Sequence, residues 1–203
     1  MKKLTIFLLT CGLLLNSCGT GADSMNHKGV CDDFPEYSTS QYILPWKVGE
    51  TYKVSQKSCG GFSHTGSYRY SYDFVMDIGT AVYASRSGMV TETKEDIEDG
   101  AMPDNHIYIE HTDGSVATYL HLTKNGSLVE AGDSVSQGQQ IGLSGNSGRS
   151  TGPHLHFAVY TTSFDLETLN KTLAVSFIIA SLHLLIKSSY STELQNYNPI
   201  YTL

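Results

Sequence analysis

From Tyr42 onward the chain is written in short runs that alternate apolar with polar positions and stop at glycine or proline. "YRYSYDFVMDIG" sets aromatic residues against polar ones with a period of two, the spacing at which side chains return to one face of a strand. "YILPWKVGETYKV", "GTAVYASRSGMVTET" and "NHIYIEHTDGSVATYLHL" continue the pattern, and Asp113-Gly114 is a hairpin-turn pair. "AGDSVSQGQQIGLSGNSG" places glycines where turns or bulges fall. Residues 92–105, "ETKEDIEDGAMPDN", read as an acidic loop. No stretch before residue 164 carries a helical period, so the prediction is one mostly β domain over residues 41–203. Gly79-x-x-Val82 and Gly132-x-x-Val135 echo one another, over too short a span to define a repeat.

The two ends read differently. Lys2 and Lys3 precede an apolar run from Leu4 to Leu15, which predicts an export signal over residues 1–17. That run is shorter than the roughly 20 residues a bilayer-spanning helix needs. "LLNSC" resembles a bacterial lipobox, which makes Cys18 the expected lipidated residue and 18–40 a polar tether. The chain is then expected to be exported and held by its lipid at the cell envelope, on the outer membrane where a cell has two. At the other end, the run from Leu173 to Ile186 fits either two successive strands or one buried helix.

Composition narrows the function. Only 16% of the 203 residues are charged, and removing the signal with its two lysines takes the formal net charge from −7 to −9. An acidic surplus of that size argues against a nucleic-acid partner. Of the four cysteines, Cys11 leaves with the signal and Cys18 takes the lipid, so Cys31 and Cys59 are expected to pair in an oxidising compartment. Closing a loop of about thirty residues contributes on the order of 3 kcal/mol.

The candidate chemistry lies in "STGPHLHFAVY", where His154 and His156 share one face of a predicted strand. Alone, an H-x-H pair reads as two polar residues on a half-buried strand, so a metal site needs partners elsewhere in the chain. Partners are available in "FSHTGSYRYSYDF", with His64 and Asp73, and in "TYLHL", with His121. Imidazoles and a carboxylate form a borderline donor set suited to Zn²⁺, and three protein ligands leave a position open for catalysis. An H-E-x-x-H helix is absent from the sequence, so the ligands must come from strands and loops. His27, His106, His111 and His183 are read as lying outside the site, with His106 exposed at a strand start and His111 stabilising a turn or the outer side of the site.

"GFSHTG…YDFVMDIGTAVYASRSGMV", "YLHL" and "GDSVSQGQQIGLSGNSGRSTGPHLHFAVY" resemble the lysostaphin/LytM-type bacterial zinc endopeptidases, over about residues 42–160 with a further strand near 172–177. The resemblance implies an antiparallel β-sandwich or open barrel of the duplicated-hybrid-motif type, with one zinc ion in a groove on one sheet. It implies His64, Asp73 and His156 as zinc ligands, with His121 and His154 as the unligated pair that moves the proton and steadies the oxyanion. It leaves open which of the two is the base. The implied substrate is peptidoglycan, its peptide stems or cross-links hydrolysed by metal-activated water. The alternative is an inactive member that binds and activates cell-wall amidases. One departure stands out: the common spacing is H-x-x-x-D, whereas His64 and Asp73 are nine apart, which we read as an insertion of "TGSYRYSY". Asp77 is the competing carboxylate.

Overall fold

The computed structural model describes residues 34–161 and 172–178. The signal segment, Cys11, Cys18, Cys31, His27, His183 and the tail beyond residue 178 lie outside them, and so do the expectations attached to those residues. The described chain forms eleven strands: β1 (Tyr42–Ile43), β2 (Val54–Gln56), β3 (Tyr72–Val75), β4 (Ala81–Tyr83), β5 (Gly88–Lys94), β6 (Asn105–Glu110), β7 (Val116–Ser127), β8 (Ser134–Val135), β9 (Gln140–Ser144), β10 (His154–Tyr160) and β11 (Phe177–Ile178). Two single-turn 3-10 helices, Tyr37–Thr39 and Gly66–Tyr68, are the only helices among the described residues. No described helix is long and apolar enough to cross a membrane.

The alternation predicted a mostly β domain and the resemblance an antiparallel one; the sheet is antiparallel and runs in the order β2-β3-β10-β7-β6-β5-β8. The twelve-residue β7 belongs to two layers. Its first half pairs with β6 and β10, and its far end pairs with β9, which in turn pairs with β4. Val82 and Ile141 from the β4–β9 pair meet Ile107, Tyr119, Leu155 and Phe157 from the large sheet in one core. Each such fully buried side chain contributes about 1.5–3 kcal/mol relative to exposure.

The only parallel pairing in the described sheets joins β1 to β11. Phe177 packs on Tyr72, Phe74 and Phe157 at centroid distances of 5.4, 6.2 and 5.6 Å. The described part of the apolar tail is therefore extended, from the Thr172–Tyr160 bridge to β11, and not helical. The end of the expected tether also differs from a free linker. Phe34 packs edge-on against Tyr70, and Ser176 donates to the Pro35 carbonyl, so residues 34–40 belong to the folded body.

Candidate active site

Strand pairing assembles the centre. β10 lies between β3 and β7, with His156 opposite Asp73 on one side and Leu120 on the other. Pleating sends Leu155 and Phe157 into the core, packed beside Phe74 and Tyr72, and leaves His154, His156 and Asp73 together on the other face. The H-L-H spacing placed His154 and His156 on one face, and the family resemblance implied Asp73 beside them.

His64 arrives from the loop between β2 and β3. Gly61 and Phe62 take positive φ (76° and 46°), turning the chain so that His64 bridges back to Gly61 and is 1% exposed. The nine-residue spacing to Asp73 is accommodated by a loop containing the Gly66–Tyr68 helix, held by Thr172, whose backbone and side chain both donate to the Ser67 carbonyl. The insertion bulges outward while its ends converge, and His64 Nε2 lies 3.2 Å from Asp73 Oδ1. Asp77, the competing carboxylate, is exposed in a turn away from this cluster.

The donor set fits a metal cation. His64 Nδ1 donates to the Lys57 carbonyl at 3.1 Å, so in the neutral ring Nε2 presents a lone pair to the Asp73 carboxylate. Two electron-rich atoms that close call for a cation between them. His156 Nδ1 lies 2.8 Å from the same Asp73 oxygen, and its buried Nε2 has no hydrogen-bond partner. One ligand atom from each of the three residues falls within 4.8 Å of the others. Burial alone would raise the Asp73 carboxyl, but the adjoining His156 and His64 rings, which donate to it whenever they carry protons on that side, hold it well below the usual carboxylate range. Two imidazoles and one ionised carboxylate are the ligand types zinc accepts.

His121 owes its position to a bulge. Asn105 pairs with Leu122 and His106 with Leu120, so His121 is the extra residue of β7 and takes φ 64°. A non-glycine residue held there stores on the order of 1–3 kcal/mol, and bulges of this kind re-aim a side chain. Its Nδ1 donates to the Ser147 carbonyl at 2.8 Å, which leaves Nε2 as the acceptor. Burial first, then the neighbouring His154 and His156, push its pKa down to about 4. The His121 and His154 rings lie 4.7 Å apart, centroid to centroid. His154 Nδ1 donates to the Gly152 carbonyl at 2.7 Å, and its Nε2 lies 3.7 Å from Asp73 Oδ1.

All five residues expected at the site therefore meet, and four of them (Asp73, His121, His154 and His156) line a groove of about 710 Å³ while His64 sits buried behind it. One other reading changes and one holds. His106 is buried, not exposed, between Asp104 and Glu92. His111 serves the hairpin turn, with its Nδ1 donating to the Ser87 carbonyl. Sequence reasoning also passed over four residues: Phe62 and Arg149, which line the groove, and the buried Asn105 and Ser147 behind His121. Ser147 lies inside the quoted glycine-rich block, so its spacing was on view. Asn105 gave no signal beyond a polar residue at the head of an apolar strand.

The model of peptidase family M23 matches residues 67–168. The peptidoglycan DD-endopeptidase ShyA of Vibrio cholerae is 49% identical over 85 residues, covering 42% of this chain and 18% of the relative. Lysostaphin of Staphylococcus simulans is 41% identical over 131 residues, covering 64% of this chain and 24% of the relative. The chain thus spans about a fifth to a third of the length of the curated relatives it matches. Among solved structures, lysostaphin from the same organism superposes with a TM-score of 0.50 at 33% identity, over 66% of this chain and 51% of that one.

Proposed function

This chain belongs to peptidase family M23, and from that premise we propose that it is a zinc-dependent endopeptidase that hydrolyses peptide stems or cross-links of bacterial peptidoglycan. The observation that carries the reading is the buried convergence of His64, Asp73 and His156 beside a second histidine pair at the groove. His64, Asp73 and His156 would hold the zinc, which when bound supplies a Lewis acid that polarises a carbonyl and acidifies water.

The remaining chemistry falls to the chain's own residues. His121, neutral at physiological pH and fixed with its Nε2 lone pair free, takes a proton from the attacking water. The same proton then passes to the leaving amine as the amide C–N bond breaks. His154, oriented by its bond to the Gly152 carbonyl, is the partner ring that steadies charge on the carbonyl oxygen. The groove lined by His121 and His154 is where the substrate peptide would lie.

The relatives named peptidoglycan DD-endopeptidases point to a cell-wall substrate. The export signal and the lipid on Cys18 would hold the enzyme beside that substrate, and a Cys31–Cys59 bond would fasten the N-terminal segment to the domain. The amidase-activator alternative is not favoured, because such members lose ligands and every ligand position here is filled. The test is mass spectrometry of muropeptides released from purified peptidoglycan by the zinc-loaded protein, with His156→Ala as control. Shortened or uncross-linked stems from the wild type alone support the proposal and identify the bond. No release from several wall types, with one zinc bound per chain, overturns it.

A further inference from the structure

His121 sits in a conformation that an L residue avoids, so something must hold it there. The bulge persists only if its surroundings over-determine it. Two buried residues, Asn105 and Ser147, supply that restraint, and neither is fully accounted for by the fold's ladder of strand bonds.

Ser147 Oγ donates to the carbonyl of Leu122, the residue just past the bulge, at 2.6 Å. Asn105 Nδ2 donates to the same carbonyl at 3.2 Å. The Asn105 backbone N–H in turn donates to Ser147 Oγ at 2.9 Å, so the serine hydroxyl both accepts and donates. The Ser147 carbonyl, as described, receives His121 Nδ1. The four bonds form a closed unit around residues 121 and 122. The Asn105 amide also reaches outward, accepting from the Ile97 N–H (3.0 Å) and donating to the Ile97 carbonyl (2.7 Å), which ties the acidic loop to the bulge. Removing either side chain leaves buried backbone groups short of partners and frees the bulge to relax towards ordinary strand pairing.

We propose that Asn105 and Ser147 are positioning residues for the reaction. They act through His121, holding its backbone in the bulge and its Nδ1–H on the Ser147 carbonyl so that Nε2 faces the groove. Neither touches the three ligand residues through any hydrogen bond of the described structure, so the metal site should be indifferent to them. This inference rests on the reading of His121 as the proton carrier.

The experiment compares wild type, Ser147→Ala and Asn105→Ala, each zinc-loaded, with melting curves confirming the fold. Ser147→Ala removes one hydroxyl and keeps the carbonyl, so it serves where Asn105→Ala fails to fold. Three readouts are taken: zinc per chain, kcat and KM on peptidoglycan fragments, and the ¹⁵N–¹H spectrum of the histidine rings, with the His121 signals identified by their loss in His121→Gln. The expected result is one zinc per chain throughout, kcat down about 10- to 100-fold with KM unchanged, and His121 shifted from a single Nδ1–H tautomer to a mixture. A His121 signal that keeps its single tautomer in both variants overturns the proposal, as does loss of zinc together with activity. If the wild type hydrolyses nothing, the peptidase reading fails on its own, and the ring spectra still decide whether Asn105 and Ser147 hold His121.

Discussion

Gly145 and Gly152 sit seven residues apart in the same glycine-rich block, yet the structure assigns them opposite tolerances. A Cβ at Gly145 would lie 2.3 Å from the Thr123 nitrogen, 2.5 Å from its Cα and 2.6 Å from the Leu122 carbonyl carbon. All three are backbone atoms, so no rotamer change relieves the contact, and β7 must move away from the loop that leads to His154. At Gly152 an added Cβ meets nothing within 4 Å. Forced overpacking of this kind costs about 1–3 kcal/mol. Over the roughly 130 described residues, an unfolding entropy near 2.1 cal/mol/K per residue converts that to a fall of about 4–11 °C in Tm. Gly145→Ala should melt that much lower than wild type by circular dichroism, with Gly152→Ala within about 2 °C of it. Equal melting temperatures for the two variants would refute the steric argument.

Three further outcomes follow from single features. Phe62 is 88% exposed at the groove and contributes little to the core, so Phe62→Ala should leave Tm unchanged while raising KM for wall peptides about fivefold, equivalent to ~1 kcal/mol; an unaltered KM would deny it a substrate contact. Burial works against a charged His106, but the hydrogen bonds of Asp104 and Glu92 prevail and raise its pKa. Its stabilisation is complete below the unfolded value of about 6.5 and disappears as pH rises through the folded one, so the Tm gap between wild type and His106→Gln should be wider at pH 5.5 than at pH 8.5, and a constant gap counts against the ion pair. Cys59 is disulfide-bonded, with its partner outside the described residues; peptide mapping without reductant should recover Cys31 joined to Cys59, and recovery of any other pair contradicts the expected pairing.

What could be read in advance follows from the physics of strands. Alternation has a fixed period of two, so His154 and His156 had to share a face, and the antiparallel register then brought Asp73 opposite His156. The long His64–Asp73 spacer was legible as an insertion, because loops lengthen without disturbing the strands at their ends. His121's backbone was not legible. A bulge depends on partners distant in sequence, here Asn105 and Ser147, and nothing in "TYLHL" marks a residue that will take positive φ. His106 misled for a related reason: a strand-initial histidine is ordinarily solvated, and its burial depends on two carboxylates from different positions, Glu92 and Asp104. The docking of residues 34–40 was hidden because their polar composition reads as linker, while their partners Tyr70 and Ser176 lie far along the chain.

The pairing of β11 with β1 bears on the order in which the molecule can be completed. Tyr42 and Phe177 are register partners from opposite ends of the described chain, and Phe177 closes the aromatic cluster on which β3 and β10 rest. A chain made from its N-terminus onward would have every groove residue available while that seam still gaped, its Tyr72, Phe74 and Phe157 rings uncovered on one side. A recombinant fragment ended at residue 168, where the family match stops, would be frozen at that stage: it would carry the four histidines and Asp73 of the site but present a sticky aromatic face in place of a finished wall. Fragment boundaries for expression belong past Ile178.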